Sequence, residues 1–243
     1  METLVNFYKE DKYHNDIWLN REYLVQLNLT GKCTLSCEFC YMSPYQNDFL
    51  TLHNIKKLWG NLKEYSIKYG IEYRVNITGG DIFQHPKWEE IAQFIADEKS
   101  ITAVDPLINT FWKKNNENLL EILKEKINFV QFNSDTVTEN DICSVKRIGK
   151  KVVLKIALYN KGTTKNNINK LKRFSEKFDN IIISIDLIIP QKGCVGNKED
   201  YLIFNISKLK DELYLLKKKF GKTLWILSTT AKRLYLKRRF AIL

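Results

Sequence analysis

The fold is decided by a near-continuous apolar stretch, Ile181-Ile182-Ile183-Ser184-Ile185-Asp186-Leu187-Ile188-Ile189. Such a run is typical of a parallel strand that is covered on both of its faces. Five runs upstream of it have the same strand character: Tyr23–Asn28, Glu72–Ile77, Thr102–Ile108, Asn128–Phe132 and Lys151–Leu158. Apolar residues spaced by three and four follow each of the six runs, and this is the period of an amphipathic helix.

Six strand–helix units in succession predict an α/β fold with a parallel sheet. A complete eight-unit barrel needs about 250 residues, whereas this chain has 243 and no linker that would separate two domains. We therefore predict a partial (β/α)6 TIM-like barrel with parallel strands. The core domain is expected over residues 22–221, between an N-terminal extension at 1–21 and a short basic tail at 222–243 with no sign of a seventh unit.

The composition limits the class of protein. Hydrophobic residues make up 44% of the chain and aromatic residues 12%, which excludes a disordered protein. No apolar run approaches the roughly 18 residues of a membrane span, and residues 1–20 carry charges where a signal peptide would have an apolar core. The sequence therefore predicts a cytoplasmic protein that does not insert into a membrane.

The positive charge is concentrated near the C-terminus. The whole chain has a net charge of +11, and residues 205–243 alone hold eleven Lys or Arg and two acidic residues, a net +9. A solvated helix face followed by a basic tail is the favoured interpretation of this segment. The alternative hypothesis is that it grips an acidic leader peptide of a substrate, and nucleic acid is disfavoured as a partner.

Three of the five cysteines lie in one loop after the first strand, Cys33-Thr34-Leu35-Ser36-Cys37-Glu38-Phe39-Cys40. Active sites of parallel α/β folds lie at this end of the strands. Three thiolates can bind an iron–sulfur cubane and leave one iron open, since a cubane usually takes four. The alternative is a structural zinc site completed by His14, His53 or Cys143, but such sites prefer paired C-x2-C units and no second pair exists.

The C-x3-C-x2-C spacing, with an aromatic residue before the last cysteine and a tyrosine after it, resembles the motif of the radical S-adenosylmethionine (radical SAM) superfamily. A second feature agrees with this resemblance, because the next strand ends in Thr78-Gly79-Gly80-Asp81. This is similar to the Gly-Gly-Glu-type motif whose glycines let the backbone approach the methionine amino group of AdoMet. The resemblance implies that Gly79, Gly80 and Asp81 bind AdoMet, with Asp81 in the position of the usual Glu.

The resemblance implies further contacts with the same cofactors. Cys33, Cys37 and Cys40 would ligate a 4Fe-4S cluster, and the backbone of Phe39 would lie beside the adenine. Many peptide-modifying members have Ser-x-Asp after the fourth strand, where this chain has Asn133 and Asp135. These two residues would reach the ribose or carboxylate of AdoMet, although an Asx turn explains Asn133 equally well.

Two cysteines outside the motif are not assigned to a cofactor. Cys194 is interpreted as a free cysteine in the loop after the sixth strand, and Cys143 is expected in the core. Arg147 is a candidate for an arginine that often follows the Ser-x-Asp motif in the peptide-modifying branch. Asn109 and Thr110 could line a substrate pocket or cap a helix.

Among radical SAM proteins, the chain is most similar to the peptide- and protein-modifying (SPASM-type) branch, without its C-terminal auxiliary-cluster domain. The resemblance implies an enzyme that cleaves AdoMet reductively and abstracts hydrogen from a precursor peptide or protein. Flavodoxin or ferredoxin would supply the electron. Two alternatives stay open: a glycyl-radical-enzyme activase, although those carry His-Asn where this chain has Tyr41-Met42, and a degenerate cluster-binding scaffold without catalysis.

Overall fold

The computed structural model describes residues 22–35, 37, 40, 42, 45, 47–108, 113–158, 165–187, 206–220 and 224–226. Within this part, the strands are β1 (Glu22–Asn28), β2 (Glu72–Thr78), β3 (Ile101–Val104), β4 (Leu107–Ile108), β5 (Phe129–Asn133), β6 (Lys151–Leu158), β7 (Ile181–Leu187) and β8 (Leu224–Ile226). The helices are α1 (Leu52–Tyr69), α2 (Trp88–Asp97), α3 (Lys113–Leu123), α4 (Glu139–Arg147), α5 (Lys165–Lys177) and α6 (Ile206–Phe220). Strands and helices therefore alternate as predicted, except that β4 follows β3 directly.

The strands form two sheets in chain order, β1-β2-β3 and β4-β5-β6-β7-β8. Every pair of neighbouring strands is parallel. The prediction of an α/β fold with parallel strands in a partial barrel is confirmed, and the two sheets formed by the described strands do not close into one barrel. Consecutive parallel strands place all of their carboxyl ends, and the loops that follow them, on one side of the molecule.

The third predicted strand is not continuous, and this part of the prediction is wrong. Asp105 and Pro106 separate β3 from β4, because proline has no N–H to donate to a strand ladder. The side chain of Asp105 instead forms a buried ion pair with Arg74 of β2. Gln131 of β5 joins the two sheets across the break, since its Nε2 donates to the Oδ1 of Asn76 at 2.9 Å and to the carbonyl of Asp105 at 3.1 Å.

The two faces of the strands differ in polarity. In β2, Val75 and Ile77 belong to the buried apolar core, together with residues of the flanking helices. Because strand side chains alternate between faces, Arg74 and Asn76 lie on the opposite face, where Gln131 reaches Asn76 across the sheets. The inner face of the incomplete barrel is thus lined in part by polar groups, as a site for polar ligands requires.

Local sequence fixes the helix ends. The hydroxyl of Thr51 accepts from the backbone N–H of Asn54 at the start of α1, and Gly70 ends that helix in the left-handed conformation with φ 61°. Thr138 and Asp141 form a reciprocal capping box at the start of α4. Each cap satisfies backbone groups that the helix itself leaves without partners.

The chain after α6 differs from the expectation of no seventh unit. Strand β8 pairs in parallel with β7, with Ser184 opposite Trp225. Only three residues of this strand are described, and so short a run carries no clear hydrophobic period in the sequence. The predicted domain limits at residues 21 and 221 remain predictions. Of the helices that the structure describes, none combines the length and apolar character needed to cross a membrane.

Candidate functional site

The cysteine motif lies in a loop that joins β1 to α1 at the carboxyl side of the sheet. Backbone bonds close the base of this loop, from the N–H of Leu50 to the carbonyl of Leu29 at 2.9 Å and from Gly31 to Asp48 at 3.1 Å. Cys33, Cys37 and Cys40 all lie partly buried within it. The loop therefore presents three thiols from a base that is tied back to the sheet.

The three sulfur atoms lie near one another in a partly dry environment. Burial, together with the neighbouring Cys40, Cys33 and Asp135, raises the pKa of Cys37 to about 11. Burial also raises the pKa of Cys33, against an opposing hydrogen bond from the N–H of Leu35 at 3.3 Å. Without metal these two thiols hold their protons at neutral pH, and metal binding would release them.

The type and number of the donors bear on the two metal hypotheses. Three thiols on one loop suit a cubane that leaves one iron open. A zinc ion would need a fourth ligand beside them. His14 lies outside the described residues.

Gly79 and Gly80 contact the cysteine loop directly. The N–H of Gly80 donates to the carbonyl of Thr30 at 2.6 Å. A Cβ built on Gly80 would lie 2.3 Å from the carbonyl oxygen of Lys32, and one on Gly79 would lie 2.6 Å from that of Thr30. Gly79 also has φ 130°, which L side chains rarely adopt. The missing side chains therefore let the end of β2 pack against the backbone that leads into Cys33.

This packing adds a role for the two glycines that the sequence motif did not suggest. The motif assigns them to the methionine part of AdoMet, and that contact remains a prediction. The structure shows that, because the two glycines have no Cβ, their backbone can lie directly against the backbone of the cysteine loop.

Asp81 completes the contact between β2 and the cysteine loop. Its N–H donates to the carbonyl of Lys32 at 2.8 Å. Its side chain is fully buried and accepts from the N–H of Phe83 at 3.1 Å, which caps a short 3-10 turn. The carboxylate lies near enough to Cys33 to contribute to the rise in the pKa of that thiol. The predicted contact of Asp81 with AdoMet stays a prediction.

Asn133 and Asp135 stand at the carboxyl end of β5. The Oδ1 of Asn133 accepts from the N–H of Asp135 at 3.2 Å, which is the Asx turn given above as the alternative. The exposed side chain of Asp135 accepts from the Nδ2 of Asn167 in α5 at 2.6 Å. Asp135 also contributes to the raised pKa of Cys37, so the end of β5 lies near the cysteine loop. That these residues form one AdoMet site stays a prediction.

Other residues of the sequence analysis are placed elsewhere or not described. Phe39, Asn109, Thr110 and Cys194 lie outside the described residues. Arg147 contacts Glu117 and Ser144 among the helices. Cys143 is exposed on α4, so its expected core position is wrong, because it lies on the solvent side of an amphipathic helix.

Sequence reasoning missed His85 and Asn167. His85 is buried after the 3-10 turn, and its Nε2 donates to the carbonyl of Leu50 at 3.1 Å while its Nδ1 accepts from the N–H of Lys87 at 3.0 Å. This holds the end of the cysteine loop against the turn that Asp81 caps. A lone His or Asn gives no periodic signal, so only the tertiary structure reveals these contacts.

The burial of His85 predicts a pH-dependent contribution to stability. Burial lowers the pKa of His85, opposed by the Leu50 carbonyl. The contribution of His85 is therefore fully present above the usual His pKa of about 6.5 and is lost at lower pH, where the unfolded chain binds a proton that the folded chain excludes. We expect His85→Gln to lower the free energy of unfolding by about 1 kcal/mol at neutral pH and to flatten its decline in acid.

The measurement is urea unfolding followed by circular dichroism from about pH 7.5 to about pH 5.5. His53→Gln is the matched control, because His53 is exposed on α1. Equal pH slopes for wild type and His85→Gln would contradict the assignment.

Known proteins share sequence features with this chain. The model of the Radical SAM superfamily matches residues 27–193. The antilisterial bacteriocin subtilosin biosynthesis protein AlbA of Bacillus subtilis (strain 168) is 32% identical over 102 residues. That match covers 41% of this chain and 21% of AlbA, so the chain aligns with about a fifth of this relative.

Solved structures show the same fold at low sequence identity. HydG, a maturase of the [FeFe]-hydrogenase, has a TM-score of 0.63 and 15% identity, covering 91% of this chain and 56% of HydG. SuiB of Streptococcus suis, bound to the precursor peptide SuiA, has a TM-score of 0.60 and 18% identity, covering 98% of this chain and 56% of SuiB. SuiB bound to S-adenosylmethionine gives the same TM-score.

Proposed function

This chain belongs to the radical SAM superfamily, and from that premise we propose that it cleaves S-adenosylmethionine reductively at a 4Fe-4S cluster and abstracts hydrogen from a precursor peptide. The predicted enzyme class, a radical SAM superfamily enzyme, follows from this membership. The cluster, the cofactor and the peptide are parts of the proposal.

One observation carries the proposal of a cluster. Three partly buried thiols, those of Cys33, Cys37 and Cys40, lie on one loop at the carboxyl side of a parallel sheet. That loop is tied to the end of β2 by the backbone bonds of Gly80 and Asp81. A rigid support of this kind is what a ligand set needs to hold a metal group in one orientation.

The remaining site residues are assigned to AdoMet. When bound, the cluster supplies an electron for breaking the sulfonium bond of AdoMet. Gly79, Gly80 and Asp81 would hold the methionine part, and Asn133 and Asp135 the ribose or carboxylate. Backbone N–H, amide and carboxylate groups of these types can bind such polar groups.

The peptide substrate is supported by two relatives. AlbA is named for the biosynthesis of subtilosin, a bacteriocin, and SuiB is bound to its precursor peptide. This chain covers less than two thirds of the length of either protein, so a peptide substrate is proposed by analogy. A flavodoxin or ferredoxin is proposed as reductant, and the cytoplasm as location, because thiols stay reduced there.

The proposal is tested by anaerobic reconstitution with iron and sulfide, followed by dithionite and AdoMet. We expect 5′-deoxyadenosine in the reconstituted sample and none in a sample treated identically without iron. A candidate precursor peptide, deuterated at the modified position, should transfer deuterium into 5′-deoxyadenosine. A visible cluster without AdoMet cleavage would contradict the proposal and favour a non-catalytic scaffold, and bound zinc without a cluster would overturn it.

A further inference from the structure

The last turn of α6 carries three consecutive lysines, Lys217, Lys218 and Lys219. Lys218 and Lys219 are exposed. In the part of the chain that the structure describes, no carboxylate lies within ion-pair distance of either of them, and Lys219 instead donates to the Oδ1 of Asn169 at 3.1 Å. These two ammonium groups are thus available to an anionic partner.

Apolar side chains adjoin these lysines on the same side of α6. Tyr214 is 52% exposed and Leu215 is 61% exposed, whereas Leu216 and Phe220 are buried against the rest of the protein. Tyr214 precedes Lys218 by four residues, and Leu215 precedes Lys219 by four, so each apolar residue lies beside a lysine on the helix surface. We call Tyr214, Leu215, Lys218 and Lys219 the α6 patch.

The α6 patch is linked to the candidate site through α5. Lys219 contacts Asn169 in α5. Two residues earlier in α5, Asn167 donates to the carboxylate of Asp135 at 2.6 Å, and Lys170 donates to the Asp135 carbonyl at 3.1 Å. Asp135 in turn influences the pKa of Cys37. A chain bound on the patch could therefore extend along the start of α5 to the mouth of the site.

We propose that the α6 patch binds an acidic segment of the substrate peptide, with carboxylates at Lys218 and Lys219 and apolar side chains at Tyr214 and Leu215. This inference rests on the proposed function, because it takes the bound segment to belong to the substrate. A peptide fits this patch better than nucleic acid, because it can offer apolar side chains to the exposed Tyr214 and Leu215 next to carboxylates for the two lysines.

The test measures fluorescence anisotropy of a labelled peptide of repeating Glu-Glu-Leu, with a Gln-Gln-Leu peptide as its uncharged counterpart. We expect the full chain to bind the acidic peptide, more weakly as salt rises. The double variant Lys218→Glu/Lys219→Glu should bind it about tenfold more weakly at low salt. The matched control is Lys56→Glu/Lys57→Glu, which makes the same charge change at two adjacent exposed lysines of α1 and should bind like wild type.

Several outcomes would overturn the proposal: unchanged binding in the Lys218→Glu/Lys219→Glu variant, an equal loss in the α1 control, or tighter binding of single-stranded DNA or phosphatidylglycerol vesicles than of the peptide. A loss of thermal stability without a loss of peptide binding would also overturn it, because the lysines would then only stabilise the C-terminal end of α6. Formation of 5′-deoxyadenosine without peptide is measured in the same variants and should be unchanged. Its absence from wild type would contradict the proposed function without deciding peptide binding.

Discussion

Replacing Cys37 by Ala is expected to reduce 5′-deoxyadenosine formation more than about a thousandfold, because the three cysteines act as one unit and the loss of one member removes the function of the whole set. Iron bound after reconstitution should fall with it. The loop itself should persist, since its base is closed by backbone bonds at Leu29, Gly31 and Leu50. Unfolding midpoints of the metal-free proteins should therefore stay close to that of wild type.

The same reasoning predicts that Cys33→Ala and Cys40→Ala match Cys37→Ala and that the triple variant is no worse than any single one. Cys143→Ala is the matched control, because Cys143 is a free thiol exposed on α4 and should leave iron content and product at wild-type levels. Wild-type product from any of the three loop variants would contradict the proposed ligand set.

The regular parts of the fold could be predicted because each carries a local signal. The apolar runs, the spacing of the helices and the Thr51 cap all depend on residues close together in sequence. The break between β3 and β4 had a signal too, since Pro106 lies inside the predicted strand. The ion pair of Asp105 with Arg74 had no such signal, because the two residues lie 31 positions apart in the sequence.

The candidate site also combines features that the sequence predicted with contacts that it did not predict. The cysteine spacing and the Gly-Gly-Asp sequence were readable, and their position after consecutive parallel strands predicted that they meet. The contacts of His85 with Leu50, and of Asn167 with Asp135, join segments that are 35 and 32 residues apart. The burial and pairing of single polar residues depend on tertiary contacts, so the periodicity of the sequence does not predict them.

The second large effect is expected from Gly80→Ala. The new Cβ would lie 2.3 Å from the Lys32 carbonyl oxygen and 2.8 Å from that of Gly31. Both are backbone atoms, so relief requires the segment before Cys33 to move. Overpacking of this kind costs about 1–3 kcal/mol, and the displaced loop should bind severalfold less iron after reconstitution.

Iron content is measured without AdoMet, so that a role in supporting the cysteine loop is separated from a role in binding the cofactor. Gly60→Ala is the matched control, because a Cβ on Gly60 in α1 meets nothing within 4 Å. This control should load iron normally and gain about 0.5–1 kcal/mol from helix propensity. If Gly80→Ala loads iron fully and loses only AdoMet binding, the glycine serves the cofactor alone. If iron loading fails before any AdoMet is added, the end of β2 is part of the machinery that positions the cysteines.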